Sequence, residues 1–183
     1  FKEIQKKPFS YFVTIKKEMT ASIVTTFKLE SDYLEEWIYY HLNLGFDHFY
    51  LYDNNDGDTD DISIIHKLKK SPISSHITFF NTRKIKRFND YYLDLPRKLF
   101  KLLTKNEWLF LNLNVDEFLT FPNTSKYGQN INEYLINARK HHCDIICFNW
   151  QIHGNNGHHY QTPGKVVDRF PNPTLPLNFT KYN

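Results

Sequence analysis

Three short stretches of this 183-residue chain place side chains able to do chemistry directly after apolar runs. They are Lys28-Leu29-Glu30 after SIVTTF, Asp53-Asn54-Asn55 after HFYLY, and Asn114-Val115-Asp116-Glu117 after WLFLNL. Carboxylates and amides hold hydroxyl groups, and an acidic site that handles phosphate needs a divalent cation between the two like charges. One polar strand end is ordinary loop solvation. Three at one edge of a sheet would form a site, because ligands of open α/β sheets bind beyond the carboxyl ends of the strands. The chain has no GxGxxG, no Walker lysine loop and no Gly-x-Ser-x-Gly elbow, so dinucleotide binding, P-loop chemistry and serine hydrolysis gain no support.

The loop DNNDGDTDD, residues 53 to 61, invites a calcium reading. An EF-hand wants glycine at loop position 6 and glutamate at position 12. With Gly57 at position 6, Tyr52 and Ser63 fall where carboxylates are needed; with Asp53 at position 1, Asp58 falls where glycine is needed. Both registers fail, and Phe49 to Tyr52 reads as a strand rather than an entering helix.

Elements that position these residues follow from periodicity. Ser22 to Phe27, His48 to Tyr52 and Ile77 to Phe80 read as strands. WLFLNL, Trp108 to Leu113, is apolar on both faces and is expected to be a central strand. Ser31 is expected to cap a helix with Leu34, Trp37, Ile38, His41 and Leu44 inward and Gly45 as its stop. Asp60 or Asp61 is expected to cap a second helix with Ile62, Ile65 and Leu68 on one face. Asp94 and Pro96 open a third, with Leu99, Phe100, Leu102 and Leu103 inward, and Asn132 to Arg139 forms a fourth. Asp144 to Trp150 and Val166 to Phe170 read as further strands. Strands alternating with helices predict an α/β fold with a mixed, mostly parallel sheet flanked by helices.

Composition narrows the class. With 40% hydrophobic residues and only 6 glycines the chain is globular, and no apolar run approaches the roughly 18 residues of a membrane span. No secretory leader is apparent. The chain begins at Phe1, which suggests a fragment. The net charge of +3 is mild. The basic clusters at residues 83–87 and at Lys67, Lys69 and Lys70 read first as solvated surface, then as phosphate or anionic membrane contacts; nucleic acid is not an expected partner. Cys143 and Cys147 lie about 13 Å apart on an extended chain, too far for a disulfide. Both are expected to be buried and reduced, which fits a cytoplasmic protein. HGNNGHH carries His153, His158 and His159 without an established zinc spacing and reads as a substrate-contacting loop.

Residues 28 to 55 also resemble the opening of the family-92 glycosyltransferases and their bacterial relatives. The family shows Lys-Asn-Glu, Glu-Trp-x-x-Tyr-His and Gly followed by Tyr-Asp-Asn; here these are Lys28-Leu29-Glu30, Glu36-Trp37-Ile38-Tyr39-Tyr40-His41, and Gly45 with Tyr52-Asp53-Asn54. WLFLNLNVDEFL is similar to the family's Asp-x-Asp-Glu-Phe segment, with Asn114 in place of the first aspartate. NWQIHGNNGHH and VVDRF resemble its Trp-x-x-Phe-Gly-Ser-Ser-Gly-His and Glu-Arg-Phe blocks.

The resemblance implies a GT-A-like, Rossmann-type α/β domain spanning 1–183 and truncated on its acceptor side. Residues 1–19 would be an arm or edge strand, 20–120 the nucleotide-binding half and 121–183 a partial acceptor half. It implies inverting transfer of galactose or a related hexose from a UDP-sugar to a glycan or glycolipid acceptor. Thr25, Lys28, Glu30, Asp53, Asn54 and Asn114 would meet the nucleotide, and Asp116 with Asn114 would hold Mn²⁺ or Mg²⁺. Asp56, Asp58, Asp60 and Asp61 would mostly face solvent. Trp150 and Gly157 would meet the acceptor. Asp168, Glu117 and His158, in that order, are candidates for the catalytic base; Glu117 could instead hold its loop by hydrogen bonds. The implied setting is polysaccharide or lipopolysaccharide synthesis in the cytoplasm, with peripheral contact at the inner face of the membrane. A non-catalytic nucleotide- or glycan-binding relic of the same fold is the alternative. Trp37, Tyr40 and His41 read as packing residues, His41 as a hydrogen-bonded core histidine.

Overall fold

The computed structural model describes residues 19–57, 59–83, 107–111, 113–121, 128–160 and 162–173. Four strands, β1 (Thr20–Phe27), β2 (His48–Asp53), β3 (Ile77–Asn81) and β4 (Glu107–Leu111), form one sheet in the order β3-β2-β1-β4. Every pair is parallel, with Ser22 opposite His48, Phe49 opposite Ile77, and Thr20 opposite Glu107. Helix α1 (Leu34–Leu44) joins β1 to β2, and α2 (Ile62–Lys69) precedes a 3₁₀ turn and β3. Helix α3 (Ile131–Lys140) and the short α4 (Val166–Arg169) follow β4. The expected α/β class and parallel sheet are therefore present. No helix among the described residues is long and apolar enough to cross a membrane.

Alternation along β1 explains its position. Ala21, Ile23 and Phe27 join one core cluster with Phe49 and Leu51 of β2, while Val24 joins Tyr52 on the opposite face. Apolar residues on both phases suit a strand with neighbours on either side and cover on both faces. The first cluster also takes Leu34, Trp37 and Ile38 of α1, Ile64, Ile65 and Leu68 of α2, and Ile131 and Leu135 of α3. The crossovers from β1 to β2 and from β2 to β3 carry α1 and α2, whose buried residues share the first cluster on one side of the sheet, as crossovers of one hand require.

Helix ends follow local chemistry. Gly45 stops α1 in the left-handed region at φ 106°, its N–H returning to the Leu42 carbonyl. Asn130 caps α3 by accepting from the Glu133 N–H, and Glu133 accepts from the Gln129 N–H and the Asn130 side chain. Ser31 does not cap α1; Tyr33 holds that position without a side-chain bond. Asp61 precedes α2 but makes no capping bond, because its carboxylate is committed elsewhere. On α2 the inward residue of the first turn is Ile64 rather than Ile62.

Other expectations need correction. Among the described residues β4 pairs with β1 alone, so it is the outermost strand on its side rather than a central one, and it ends at Leu111, which is 47% exposed. Its apolar content goes into ring contacts, Phe110 meeting Phe46 and Phe148. Residues 144–150 form no strand. They run with Ile146 and Phe148 against the core, so the alternation is real but lacks a ladder partner. Cys143 and Cys147 fall on the outward phase and are exposed free thiols rather than buried ones. VVDRF is helical over Val166–Arg169 rather than extended. The arm at 1–18, Asp58 and the helix opened by Asp94 and Pro96 lie outside the described residues.

His41 is fully buried, its Nδ1 donating to the Trp37 carbonyl and its Nε2 accepting from the Leu119 N–H. Burial pushes its pKa down from 6.5 to about 4, against the bond to Trp37, which raises it. Between those values the folded chain binds fewer protons than the unfolded chain. Its stabilisation is thus full above about pH 6.5 and is lost as pH falls toward about 4, a span of about 3 kcal/mol. Thermal melts from pH 7 to pH 4 are expected to fall more steeply for the native chain than for His41→Gln. Parallel curves would contradict this.

Candidate functional site

The chain runs β1, β2, β3 toward one side and then returns to place β4 on the free edge of β1. That reversal is a topological switch point, and crevices at such points are where open parallel sheets bind ligands. The segments leaving β1 and β4, residues 28–33 and 113–117, flank it. All three sequence-derived polar stretches therefore emerge at one sheet edge, since every strand is parallel.

Glu30 enters this edge just ahead of α1, its carbonyl accepting from the Leu34 N–H. Its Oε2 is buried and makes no hydrogen bond to the protein. Burial raises its pKa to about 7; a backbone bond from Lys28 opposes the shift, and the charges of Asp116 and Asp61 add to it. Tyr33 is raised by burial and by the charges of Glu30, Asp116, Asp32 and Asp61. The switch-point edge is thus an acidic field with an unsatisfied carboxylate in it. Asp116 is exposed at the tip of a tight turn, where the Asn114 N–H donates to Glu117 Oε2 and the Glu117 N–H donates to the Asn114 carbonyl. Glu117 therefore holds the turn, and Asn114 is exposed beside it.

The fit to a divalent cation can be judged from these donors. Two carboxylates, one with a buried unpartnered oxygen, together with diphosphate oxygens and water make the hard-oxygen set that Mg²⁺ or Mn²⁺ takes. Glu30 and Asp116 would supply carboxylates of that kind and Asn114 a neutral oxygen, while no group of three or more His, Cys, Asp or Glu side chains is gathered to hold a metal among the described residues.

A raised carboxyl pKa also carries a stability cost. The folded chain holds the Glu30 proton more tightly than the unfolded one between pH 4.5 and about 7, so the cost is absent below that window and full above it. Glu30→Gln is therefore expected to raise the melting temperature at pH 8, with the gain vanishing by about pH 4. An equal gain at both pH values would contradict this.

The acidic loop after β2 is a scaffold. Asp53 is buried, its Oδ2 accepting from Arg83 Nε at 2.7 Å with both side chains 7% exposed. Its Oδ1 accepts from the Asn55 backbone and side-chain amides. Arg83 also donates to the Gly57 and Asp60 carbonyls, and Asp60 accepts from the Gly57 N–H. Asp61 is buried rather than solvent-facing, accepting from the Glu30 and Ser31 N–H groups and from Asn55 Nδ2. Asn55 Oδ1 accepts from the Leu29 N–H. Asn55 and Asp61 thereby stitch the β2 loop to the Lys28–Ser31 loop and hold Leu29 at φ 56°, a left-handed conformation that costs a leucine about 1–2 kcal/mol. Strain held by its surroundings clusters at functional sites.

Other site candidates are placed as follows. Thr25 is buried, its hydroxyl within 3.3 Å of the Thr26 carbonyl. Lys28 pairs with exposed Asp56 at 2.6 Å. Asn54 is half-buried, its N–H donating to the Phe27 carbonyl. Trp150 is 78% exposed, and Gly157, at φ 83°, has open space around it. His153 Nδ1 donates to the Phe170 carbonyl and the residue bridges to Pro173, while His158 packs edge-on against Phe170. Asp168 lies on α4, whose Val166 N–H donates to Glu36 Oε2 of α1. A groove of about 630 Å³ runs along this flank, lined by Asp32, Glu36, Tyr39, Lys165 and Val167 among others. The organising roles of Arg83, Asn55 and Asp61 carry no local sequence signal; Arg83 sits in a basic run that reads as solvated, yet its side chain is buried.

These features define an α/β protein with carboxylates gathered at the switch point of a parallel sheet. The chain matches no protein-family model, no curated protein and no solved structure.

Proposed function

We propose that the chain is a metal-dependent glycosyltransferase domain that transfers a hexose from a UDP-sugar to a glycan acceptor with inversion. The observation that carries this reading is the buried, unpartnered Glu30 oxygen at the switch point, within the field of Asp116. The three motif blocks resembling family-92 enzymes support it, and a GT-A-like fold is part of the same proposal. Glu30 and Asp116 would hold Mn²⁺ or Mg²⁺, which supplies charge neutralisation at the diphosphate as it leaves. Asn54 flanks the base or ribose, its loop held from behind by buried Asp53, with Thr25 and Lys28 beneath the same edge. An acceptor hydroxyl attacks the anomeric carbon, and the new C–O bond forms as the bond to the diphosphate oxygen breaks. Asp168, Glu117 or His158 takes the hydroxyl proton. Of these, Glu117 already accepts from the Asn114 N–H.

Asn114, exposed where the resembled motif has a carboxylate, favours a second reading, a binding module without turnover. Incubation with UDP-hexoses, Mn²⁺ and glycan acceptors separates the two. Metal-dependent UDP release is expected. Binding of UDP-sugar with neither transfer nor hydrolysis would overturn catalysis and leave the binding module.

A further inference from the structure

Helix α1 touches both sides of the crevice. At its start, the Tyr33 and Leu34 N–H groups donate to the Glu30 carbonyl, so Glu30 is fixed to the first turn. Further along, three side chains reach the backbone that follows Asp116. Trp37 Nε1 donates to the Glu117 carbonyl at 2.8 Å, Tyr40 Oη donates to the Leu119 carbonyl at 2.9 Å, and His41 Nε2 accepts from the Leu119 N–H at 3.3 Å. Positions 37, 40 and 41 share a helix face, so one rigid element presents all three.

The grip is reinforced by packing. Phe118 lies edge-on to Tyr40 at 5.0 Å and stacked with His41 at 6.1 Å, and Trp37 meets His41 at 4.6 Å. Val115 and Leu119 are buried on either side of the exposed Asp116 and half-buried Glu117. Purely apolar residues would fill this core as well. Three polar atoms spent on one short backbone segment do something packing alone does not: they set its position and direction.

We propose that Trp37, Tyr40 and His41 are positioning residues, and that α1 acts as the gauge fixing Asp116 at its working distance from Glu30. The inference rests on the metal–nucleotide reading of the crevice and assigns a role to three residues that the reading itself leaves as core. None of the three touches the nucleotide in this account. Removing their hydrogen bonds should therefore loosen the turn and weaken only the binding that passes through Asp116.

Tyr40→Phe and Trp37→Phe each delete one donor and keep an aromatic ring. Amide hydrogen exchange over Val115–Leu119 reports the grip without any ligand, and UDP affinity with and without Mn²⁺ reports its consequence. Each variant is expected to speed exchange in this segment roughly 5–10-fold, as expected for one lost hydrogen bond, while β1 and β2 stay protected. Mn²⁺-dependent UDP affinity should fall by a similar factor, with metal-free UDP affinity unchanged. If Trp37→Phe fails to fold, Tyr40→Phe, at a half-buried position, decides alone. Unchanged exchange would overturn the grip. Faster exchange with unchanged Mn²⁺-dependent affinity would overturn the positioning role. A native chain that binds no UDP with Mn²⁺ would overturn the site reading and this role with it, while the exchange result still judges the grip.

Discussion

Arg83→Ala is expected to destabilise the fold by about 3–5 kcal/mol, the usual result of leaving one half of a buried ion pair without its partner. Asp53 would keep its bonds from Asn55 but lose its only described cation, 2.7 Å away in a setting where both side chains are 7% exposed. The Gly57 and Asp60 carbonyls would lose a donor in the same step. Conservative Arg83→Lys should recover part of the loss, since one ammonium cannot reproduce the planar fork of a guanidinium. Chemical denaturation of the three proteins measures this directly. A loss below about 1 kcal/mol, typical of an exposed pair, would show that Arg83 does not organise the loop.

The second large effect concerns Asp116. Asp116→Ala is expected to abolish Mn²⁺-dependent UDP binding, because Asn114 is neutral and Glu117 is engaged with the Asn114 N–H. Asn114→Asp should act in the opposite direction. A carboxylate added two residues from Asp116 repels it in the metal-free protein and is neutralised when the cation arrives. Tighter Mn²⁺-assisted UDP binding and a lower melting temperature without metal are expected together. The gain should shrink toward acid pH, where such a pair retains a proton. Unchanged affinity for Asn114→Asp would show that position 114 does not face the nucleotide.

Strong periodicity made much of the fold legible. The α1 face of Leu34, Trp37, Ile38 and His41 is buried as expected, and Gly45 stops the helix because its backbone adopts positive φ. The parallel sheet follows from strand–helix alternation. What sequence could not show was partnership. Residues 144–150 alternate correctly, yet a strand requires a neighbour to bond with, and Cys147 follows the outward phase. WLFLNL is apolar enough for a central strand, but among the described residues it pairs on one side only, and its Phe110 ring meets the loop rings of Phe46 and Phe148. VVDRF is short enough that one bond from Val166 to Glu36 accompanies a helical turn instead of the β-branched preference.

For the site, the three polar strand ends were legible because topology alone brings them to one edge. Their roles were not. Asp53 was read as facing a ligand, and its two oxygens instead take Asn55 and Arg83. Asp61 was read as solvent-facing or a cap, and it holds the backbone of Glu30 and Ser31. The Asp53 pairing depends on Arg83, which is 30 residues from it in the chain and carries no local signal of burial within a run of cations. The grip of α1 on residues 117–119 was hidden for a similar reason. Helical periodicity reports which face is buried, not what its polar atoms meet there.

The central claim, that Glu30 and Asp116 form a cation–diphosphate site, is tested most directly by titrating UDP into the protein calorimetrically at pH 7. Titrations with and without Mn²⁺ should be run in two buffers of different ionisation heat. Burial raises the Glu30 pKa to about 7, so cation capture should expel protons from this carboxyl. UDP binding that requires Mn²⁺ and is accompanied by proton release is the predicted result. Binding that ignores Mn²⁺, binding without proton release, or no binding with Mn²⁺ present would contradict it.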